Sequence, residues 1–300
     1  MRKRLNRRDS TSSSSGRGTV SIETFERRDI EDGMRLKASS GWNQTENDWR
    51  TLLDLSGSGS VCARIGNLFV GSALVLEYKS VGGGRIGWVS MVLVDPSFRR
   101  RGIGTELLEE AISRSAELDV HMLDATQAGV PVYEHFGFVP YDKITRWRLR
   151  ATDRSAGGEG TIDHFDNSVH PSADSLLAAD RRATGFIRPR LIDELVRRWD
   201  PIVTRSGGVA FGRDGSGAHQ IGPVISSSPD EAVFLVGRAV ESIGGELIVD
   251  IRDRRTQLAE FVSSLGFVRE RGFFRMARSE SRSFPMPTDS LAAIAGPEFG

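Results

Sequence analysis

Cysteine, histidine and tyrosine are scarce in this chain of 300 residues, which contains one, five and three of them. The single cysteine, Cys62, excludes an internal disulfide framework and any metal site built from several cysteines, and it is typical of a reducing cytoplasm. His121 and His135 lack neighbouring residues of metal-ligand type, so we expect no bound metal. The sequence therefore argues against redox and zinc chemistry and predicts a cytoplasmic protein.

The chain also lacks long apolar runs and a net charge. No apolar stretch approaches the ~20 residues that a bilayer span requires. Lys and Arg together number 40, as do Asp and Glu, so no net field draws the molecule toward nucleic acid or an anionic membrane. We therefore expect a small-molecule partner and neither a nucleic-acid nor a membrane partner, while the sequence leaves the oligomeric state open.

Residues 1–18 carry basic side chains followed by a serine-rich run, where a signal peptide would need an apolar core. We predict a disordered arm over residues 1–18. A basic arm that binds nucleic acid is the alternative, but no aromatic residues lie among the charges.

Hydrophobic periodicity in residues 19–150 predicts a strand-rich domain in which helices lie between some of the strands. The nearly apolar run over 87–94 is typical of a central strand covered on both faces. The predicted strands cover 20–25, 61–65, 68–78, 85–94, 120–125 and part of 138–150, and the predicted helices cover 28–39, 46–55, 131–136 and a segment from Thr105.

Residues 151–161 have no periodicity and are predicted to link this domain to a second one over residues 162–300. The second half repeats features of the first in the same order, which suggests an internal duplication. Ile221 to Val224 echo Ile86 to Val89, and Leu265 to Val268 echo Phe136 to Val139.

The segment Arg99-Arg100-Arg101-Gly102-Ile103-Gly104 is the strongest functional signal. It lies between a central strand and an amphipathic helix, where two glycines allow close backbone approach and unpaired amides favour an anion such as a pyrophosphate. A dinucleotide fingerprint would need a third glycine where Leu107 stands, and no Gly-Lys-Ser/Thr follows for a P-loop. A surface turn with solvated arginines is the plain alternative.

With Val92-Leu93-Val94-Asp95-Pro96 before it and Tyr133-Glu134-His135-Phe136-Gly137-Phe138 after it, this loop resembles that of the GNAT superfamily of N-acetyltransferases. The resemblance covers about residues 20–150. It implies an α+β fold of two acetyltransferase-like domains, each with a mixed, mostly antiparallel sheet flanked by helices, and acetyl-coenzyme A as co-substrate. The residues it assigns to the cofactor are Val92, Leu93, Val94, Arg99, Arg100, Arg101, Gly102, Ile103, Gly104, Thr105 and Asp124.

The resemblance also implies the chemistry: direct transfer of the acetyl group to a primary amine, on a small molecule or an exposed amino group, in a ternary complex. Tyr133 matches the family's tyrosine that protonates the leaving thiolate, a role that needs a hydroxyl near the sulfur. Packing beside Phe136 is its structural alternative. The central strand carries no carboxylate, so the base stays open among Asp124, His121, a water chain or an amine that arrives neutral.

The acceptor side and the second half are less well defined. The resemblance places Trp42, Asn43 and Gln44 near the incoming amine, although Trp42 and Trp49 could instead pack helices onto the sheet. In the second half, the segment 226–231 stands in place of the predicted phosphate loop, which is the segment 99–104, and Ser228 and Glu231 make a capping-box pattern. We therefore expect a degenerate acetyltransferase-like domain that shapes the acceptor pocket or an interface.

Two further expectations follow for the whole protein. Because the loop and its helix lie within the first domain, residues 19–155 alone should bind acetyl-coenzyme A. A non-catalytic acyl-coenzyme A sensor is the alternative to an enzyme, and the presence of Tyr133 favours the enzyme.

Overall fold

A computed structural model describes residues 19–153, 171–279 and 284–300. The predicted arm at 1–18 and most of the predicted linker at 151–161 lie outside the described residues. No helix in the described part of the chain has the length and apolar character needed to cross a membrane.

Residues 19–153 contain six strands and four α-helices, close to the predicted bounds. Thr45 begins α2, where its side chain accepts from the Asp48 amide and the Asp48 carboxylate accepts from the Thr45 amide. The elements are β1 (Val20–Thr24), α1 (Ile30–Ser39), α2 (Glu46–Leu55), β2 (Val61–Ile65), β3 (Leu68–Ser80), β4 (Arg85–Val94), α3 (Ile103–Arg114), β5 (Val120–Thr126), α4 (Val130–His135) and β6 (Val139–Leu149).

The second half repeats the order strand, helix, strand, helix, strand that runs from β4 to β6. Its elements are α5 (Ala173–Thr184), β7 (Phe186–Ile187), α6 (Pro189–Arg198), β8 (Ile202–Val203), β9 (Val209–Arg213), β10 (His219–Ile225), α7 (Pro229–Ser242), β11 (Leu247–Arg252), α8 (Thr256–Ser264), β12 (Val268–Ser279) and β13 (Leu291–Ala293). The series equivalent to β4 through β6 is β10, α7, β11, α8, β12, and β10 pairs in parallel with β11 as β4 does with β5.

The two halves exchange their last long strands. Going across the sheet, the strand order is β1-β2-β3-β4-β5-β12-β6-β11-β13-β10-β9-β8, with β7 attached to β3. Strand β12 pairs antiparallel with β5 of the first half and with β6, and β6 pairs antiparallel with β11 of the second half. The two expected sheets are therefore one continuous 13-stranded sheet.

Helices cover the sheet and bury apolar side chains against it. On one face, α3 packs on the first half of the sheet through Ile103, Leu107, Leu108 and Ala111. On the other face, α1, α2, α5 and α6 share one hydrophobic core, in which Trp49 is fully buried and stacks on Phe25. Trp49 therefore packs α2 into the core, which is the structural role considered for it from the sequence.

The start of α7 differs from the predicted capping box in one detail. Ser228 does accept a hydrogen bond from the Glu231 amide at 3.2 Å, as predicted. The Glu231 carboxylate, however, accepts from the amide of Ser227 at 2.6 Å and also from the hydroxyls of Thr204 and Ser206. A carboxylate of the chain itself thus accepts hydrogen bonds at the helix start that corresponds to the phosphate loop of the first half.

Candidate active site

Strands β4 and β5 separate part of the way along their length. They pair only from Ile86 to Trp88, opposite Val120 to Met122. Beyond Trp88, β5 pairs with β12 on its other side, and β4 continues to Val94 beside β3. The register between β3 and β4 shifts near Met91, which has φ +49°. At this shift the Ser72 hydroxyl donates to the Met91 carbonyl at 2.8 Å. The edge of β4 that faces the opening has no partner strand among the described residues.

The predicted phosphate loop connects this strand to α3 with two residues in the left-handed region. Arg100 has φ +61°, and Gly102, at the start of α3, has φ +87°. The first intrahelical bonds run from the amides of Thr105 and Glu106 to the Gly102 carbonyl. The amides of Ile103 and Gly104 therefore have no acceptor within the helix and lie at its positive end.

A cavity of about 510 Å³ fills the opening between β4 and β5. This volume is within the range of sites that bind small molecules and cofactors. It is lined by most of the residues predicted from the sequence, namely Trp42, Gln44, Val92, Val94, Arg99, Arg100, Gly102, Ile103, Gly104, Thr105, Asp124 and Tyr133.

Three predicted site residues do not line the cavity. The Leu93 side chain is buried in the core on the α1 and α2 face of the sheet. Arg101 donates to the Ser97 carbonyl at 3.0 Å and lies over the Phe98 ring. Asn43 is buried and holds a loop of the second half: its Nδ2 donates to the Ala218 carbonyl at 2.9 Å, and its Oδ1 accepts from the Ala218 amide at 3.0 Å.

Tyr133 lies on α4 with its ring edge-on to Phe138 at 5.9 Å between centroids. Burial raises the pKa of the phenol to about 12, so the hydroxyl carries its proton at neutral pH. A protonated hydroxyl beside the cavity can donate to a leaving thiolate.

The two residues weighed as the base differ in position. Asp124 on β5 lines the cavity, but both of its oxygens accept from Arg275 of β12, at 2.8 and 2.7 Å. His121 lies outside the lining, and its Nε2 is 2.8 Å from the Ser115 hydroxyl. Burial, reinforced by Arg278, lowers the pKa of His121 to about 4, so the ring is neutral near pH 7.

The far wall of the cavity comes from residues that the sequence did not predict. Arg146 of β6, Arg271 and Phe273 of β12, and Pro297 and Glu298 beyond β13 all line it. Arg146 is buried and binds Asp250 of β11 through two hydrogen bonds of 2.8 and 2.7 Å. The similarity between residues 136–139 and 265–268, which lead into β6 and β12, is visible in the sequence. It does not indicate that these two strands exchange places in the sheet.

Comparison with known proteins identifies the family of both halves. Residues 27–138 match the Acetyltransferase (GNAT) family, and residues 176–291 match the Acetyltransferase (GNAT) domain. An uncharacterized N-acetyltransferase of Bacillus subtilis, YitH, is 24% identical over 192 residues, which are 61% of this chain and 67% of the relative. Glucosamine 6-phosphate N-acetyltransferase of Trypanosoma brucei is 38% identical over 84 residues, 27% of this chain and 57% of the relative.

Among solved structures, a putative acetyltransferase from Pyrococcus horikoshii has the same fold across nearly the whole chain. Its TM-score is 0.75 at 20% sequence identity, covering 95% of this chain and 97% of that one. The chain belongs to the GNAT family of N-acetyltransferases, as a tandem protein with one such domain in each half. It is therefore an acetyltransferase of the kind that takes its acyl group from acetyl-coenzyme A.

Proposed function

We propose that this enzyme transfers the acetyl group directly from acetyl-coenzyme A to a primary amine while both substrates are bound. The observation that carries the proposal is that one cavity, between β4 and β5, is lined by residues predicted for both substrates. Its lining includes the predicted phosphate loop. It also includes residues of the segment before α2, of β6 and of β12. Two substrates can therefore meet in the opening without leaving the protein.

Direct transfer is favoured over an acyl-enzyme because the chain's one cysteine is badly placed. Cys62 is buried on β2 and does not line the cavity. Burial, with a smaller effect from Asp29, raises the pKa of the thiol to about 11. The nucleophilic thiolate is scarce at neutral pH under these conditions.

The residues of the cavity suit acetyl-coenzyme A. The amides of Ile103 and Gly104, with Arg99 and Arg100 beside them, would hold the pyrophosphate at the start of α3. The unpaired edge of β4 beyond Trp88 would bond the pantetheine arm through its backbone. Arg99 steadies the loop because its Nε donates to the Val94 carbonyl at 3.0 Å.

An amine acceptor is supported by the named relative that acetylates an amino sugar, and by the chemistry of the wall. Trp42 lines the cavity, and an aromatic face attracts a cationic amine by roughly 0.5 to 2 kcal/mol. Gln44 also lines it, and its Oε1 has no hydrogen-bond partner among the described residues. That oxygen is available to accept from an amine N–H.

Turnover with acetyl-coenzyme A across a panel of amines, followed by thiol release, tests this function. Tyr133→Phe should lower kcat by roughly ten- to a thousandfold, since it removes the proposed proton donor and keeps the ring. Its affinity for acetyl-coenzyme A should stay unchanged in calorimetry.

Tyr141→Phe is the matched control, because the Tyr141 hydroxyl has no hydrogen-bond partner in the described structure and does not line the cavity. Equal turnover of Tyr133→Phe and wild type would leave Tyr133 as packing only. Binding of acetyl-coenzyme A without turnover on any amine would instead favour the alternative, a non-catalytic acyl-coenzyme A sensor.

A further inference from the structure

Glu298 lies in the segment after β13, where three hydrogen bonds hold its neighbours, two of them from the first half and one from the second. The Trp88 indole donates to the Pro297 carbonyl at 3.0 Å, and the Tyr78 hydroxyl donates to the Phe299 carbonyl at 3.1 Å. Arg188 also donates to the Phe299 carbonyl, at 3.0 Å. A residue remote in sequence from the phosphate loop is thus fixed in the wall of the same cavity.

Gly296 makes room for this carboxylate. Its φ is +126°, and a Cβ at this position would lie 2.9 Å from Glu298 Oε2 and 3.0 Å from Arg213 Nη2. Any other residue would be strained there and would push against the carboxylate.

Two carboxylates line the cavity within the described residues, and they differ in how their oxygens are bonded. Both Asp124 oxygens accept from Arg275. Glu298 uses Oε1 for Arg213, while its Oε2 is buried and has no hydrogen-bond partner in the part of the chain that the structure describes. A buried carboxylate oxygen without a donor is costly, so this atom calls for a donor supplied by a ligand.

The two arginines near Glu298 balance its negative charge only in part, because each of them also binds another carboxylate. Arg213 of β9 is shared, because its Nη1 is 2.8 Å from Asp48 of α2 while its Nη2 contacts Glu298. Arg146 of β6 also faces it but is held by two hydrogen bonds to Asp250. Burial, together with Asp48, raises the pKa of Glu298 against the opposing effect of Arg213. A raised pKa makes the carboxylate a better proton acceptor.

Resting on the proposed function, we propose that Glu298 receives the acceptor as an ammonium ion and removes the proton that keeps it unreactive. The acceptor class is then an amine that is protonated at neutral pH and that meets one carboxylate in a cavity that Trp42 also lines. Glu298 would be a catalytic residue contributed by the second half to the site of the first.

The proton balance is complete with the residues of the cavity. Glu298 takes one proton from the ammonium group, and the neutral nitrogen attacks the thioester carbonyl carbon. The C–N bond forms as the C–S bond breaks, and the thiolate takes a proton from the Tyr133 hydroxyl. The nitrogen loses its second proton to the Tyr133 phenolate as the amide forms, and Glu298 releases its proton to solvent.

The test compares wild type, Glu298→Gln, Glu298→Asp and Glu241→Gln, with an amine that wild type acetylates. Glu241 is an exposed residue of α7 that pairs with Arg238, and its substitution should change nothing. Glu298→Gln should lower kcat/KM for the amine by roughly 100- to 10,000-fold near pH 7, because it removes the proton acceptor. Its dissociation constant for acetyl-coenzyme A should stay within about twofold of wild type.

The pH profile separates proton removal from a structural role. The deficit of Glu298→Gln should shrink as pH rises past the pKa of the free amine, since the nitrogen then arrives already neutral. A deficit that is constant across pH, or a kcat/KM within about threefold of wild type, would overturn the proposal while leaving the acetyltransferase function intact. Lack of turnover by wild type on every amine would instead count against the function itself.

If Glu298→Gln loses cooperative melting, the Glu298→Asp variant tests the proposal in its place. It keeps the carboxylate but shortens its reach, so it should melt like wild type, bind acetyl-coenzyme A normally and recover with rising pH. Full activity with an unaltered pH profile in Glu298→Asp, whose carboxylate would be withdrawn from the acceptor, would overturn the proposal.

Discussion

Gly104 is the residue of the predicted phosphate loop where one substitution should have opposite effects on folding and on binding. A Cβ there would meet Val94 Cγ2 at 3.5 Å, an ordinary contact, so the fold accepts a side chain. An aspartate would complement the positive end of α3 and leave the melting temperature equal or higher. Its charge would repel a pyrophosphate, so Gly104→Asp should weaken binding of acetyl-coenzyme A at least about tenfold in calorimetry.

Gly244→Asp is the matched control for this prediction. It adds the same charge beyond the end of α7, at a glycine where no atom of the described residues, its two chain neighbours apart, lies within 4 Å of the new Cβ. Equal affinity of Gly104→Asp and Gly244→Asp would mean that the loop does not hold the phosphates.

His121 should make the stability of the enzyme depend on pH. Its pKa in the folded protein is about 4, below the ordinary 6.5, because burial disfavours the charged ring. The unfolded chain therefore binds the proton first as pH falls, so the stabilisation is present above pH 6.5 and is lost between pH 6.5 and 4. The shift corresponds to about 3 kcal/mol.

Urea denaturation at pH 7.5 and 4.5 measures this effect. His121→Gln should reduce the loss of unfolding free energy between the two pH values, since the amide cannot take up a proton. His135→Gln, on the exposed end of α4, controls for removal of a histidine. A pH dependence unchanged in His121→Gln would assign the acid sensitivity to other groups.

At the scale of elements, the segment between α1 and α2 combines two functions in adjacent residues. Trp42 and Gln44 line the cavity, whereas Asn43 between them binds the loop around Ala218. Trp42→Phe combined with Gln44→Ala should raise KM for the amine by roughly 2- to 30-fold, because Phe attracts a cation less strongly than Trp and the Gln44 amide oxygen is lost. KM for acetyl-coenzyme A should stay the same.

Asn43→Ala is the contrasting variant in the same segment. It removes buried hydrogen bonds to the second half, so it should lower the free energy of unfolding by about 1 to 3 kcal/mol. Its ratio of the two KM values should match wild type. If the double variant leaves both constants unchanged, the acceptor is bound elsewhere along the wall, against β12 and Glu298.

The elements of the first half were predictable because their signals are local. The apolar run of β4, the glycines of the loop and the spacing of Leu107, Leu108 and Ala111 on α3 each depend on neighbours within a few residues. The neighbours of β5 were not predictable, because a strand's sequence indicates its faces and not which distant strand pairs with its edge. Glu298 lies in a glycine- and proline-containing segment that predicts only a turn.

At the scale of the whole molecule, the strand exchange changes what the halves can do alone. The sequence predicts that residues 19–155 bind acetyl-coenzyme A, but in the structure β12 lies between β5 and β6 and buries Met276 in the core beneath α3. We therefore expect residues 19–153 alone to show no cooperative melting and little binding. The two fragments 1–160 and 161–300, produced together, should copurify and recover binding of acetyl-coenzyme A.

A fragment 19–153 that melts cooperatively and binds as tightly as the full chain would contradict this expectation and restore the one drawn from the sequence. Full-length chain cleaved between residues 154 and 170 provides the control, because it keeps every described strand.

The same exchange sets a waiting time during synthesis. Strand β12 begins about 140 residues after β5 ends, which at 5 to 20 residues per second takes roughly 7 to 30 s on the ribosome. Throughout that interval the nascent first half carries β5 with an uncovered edge, the kind of surface at which chains join one another. The yield of the enzyme should therefore depend on how well the cell shields that edge until the second half arrives.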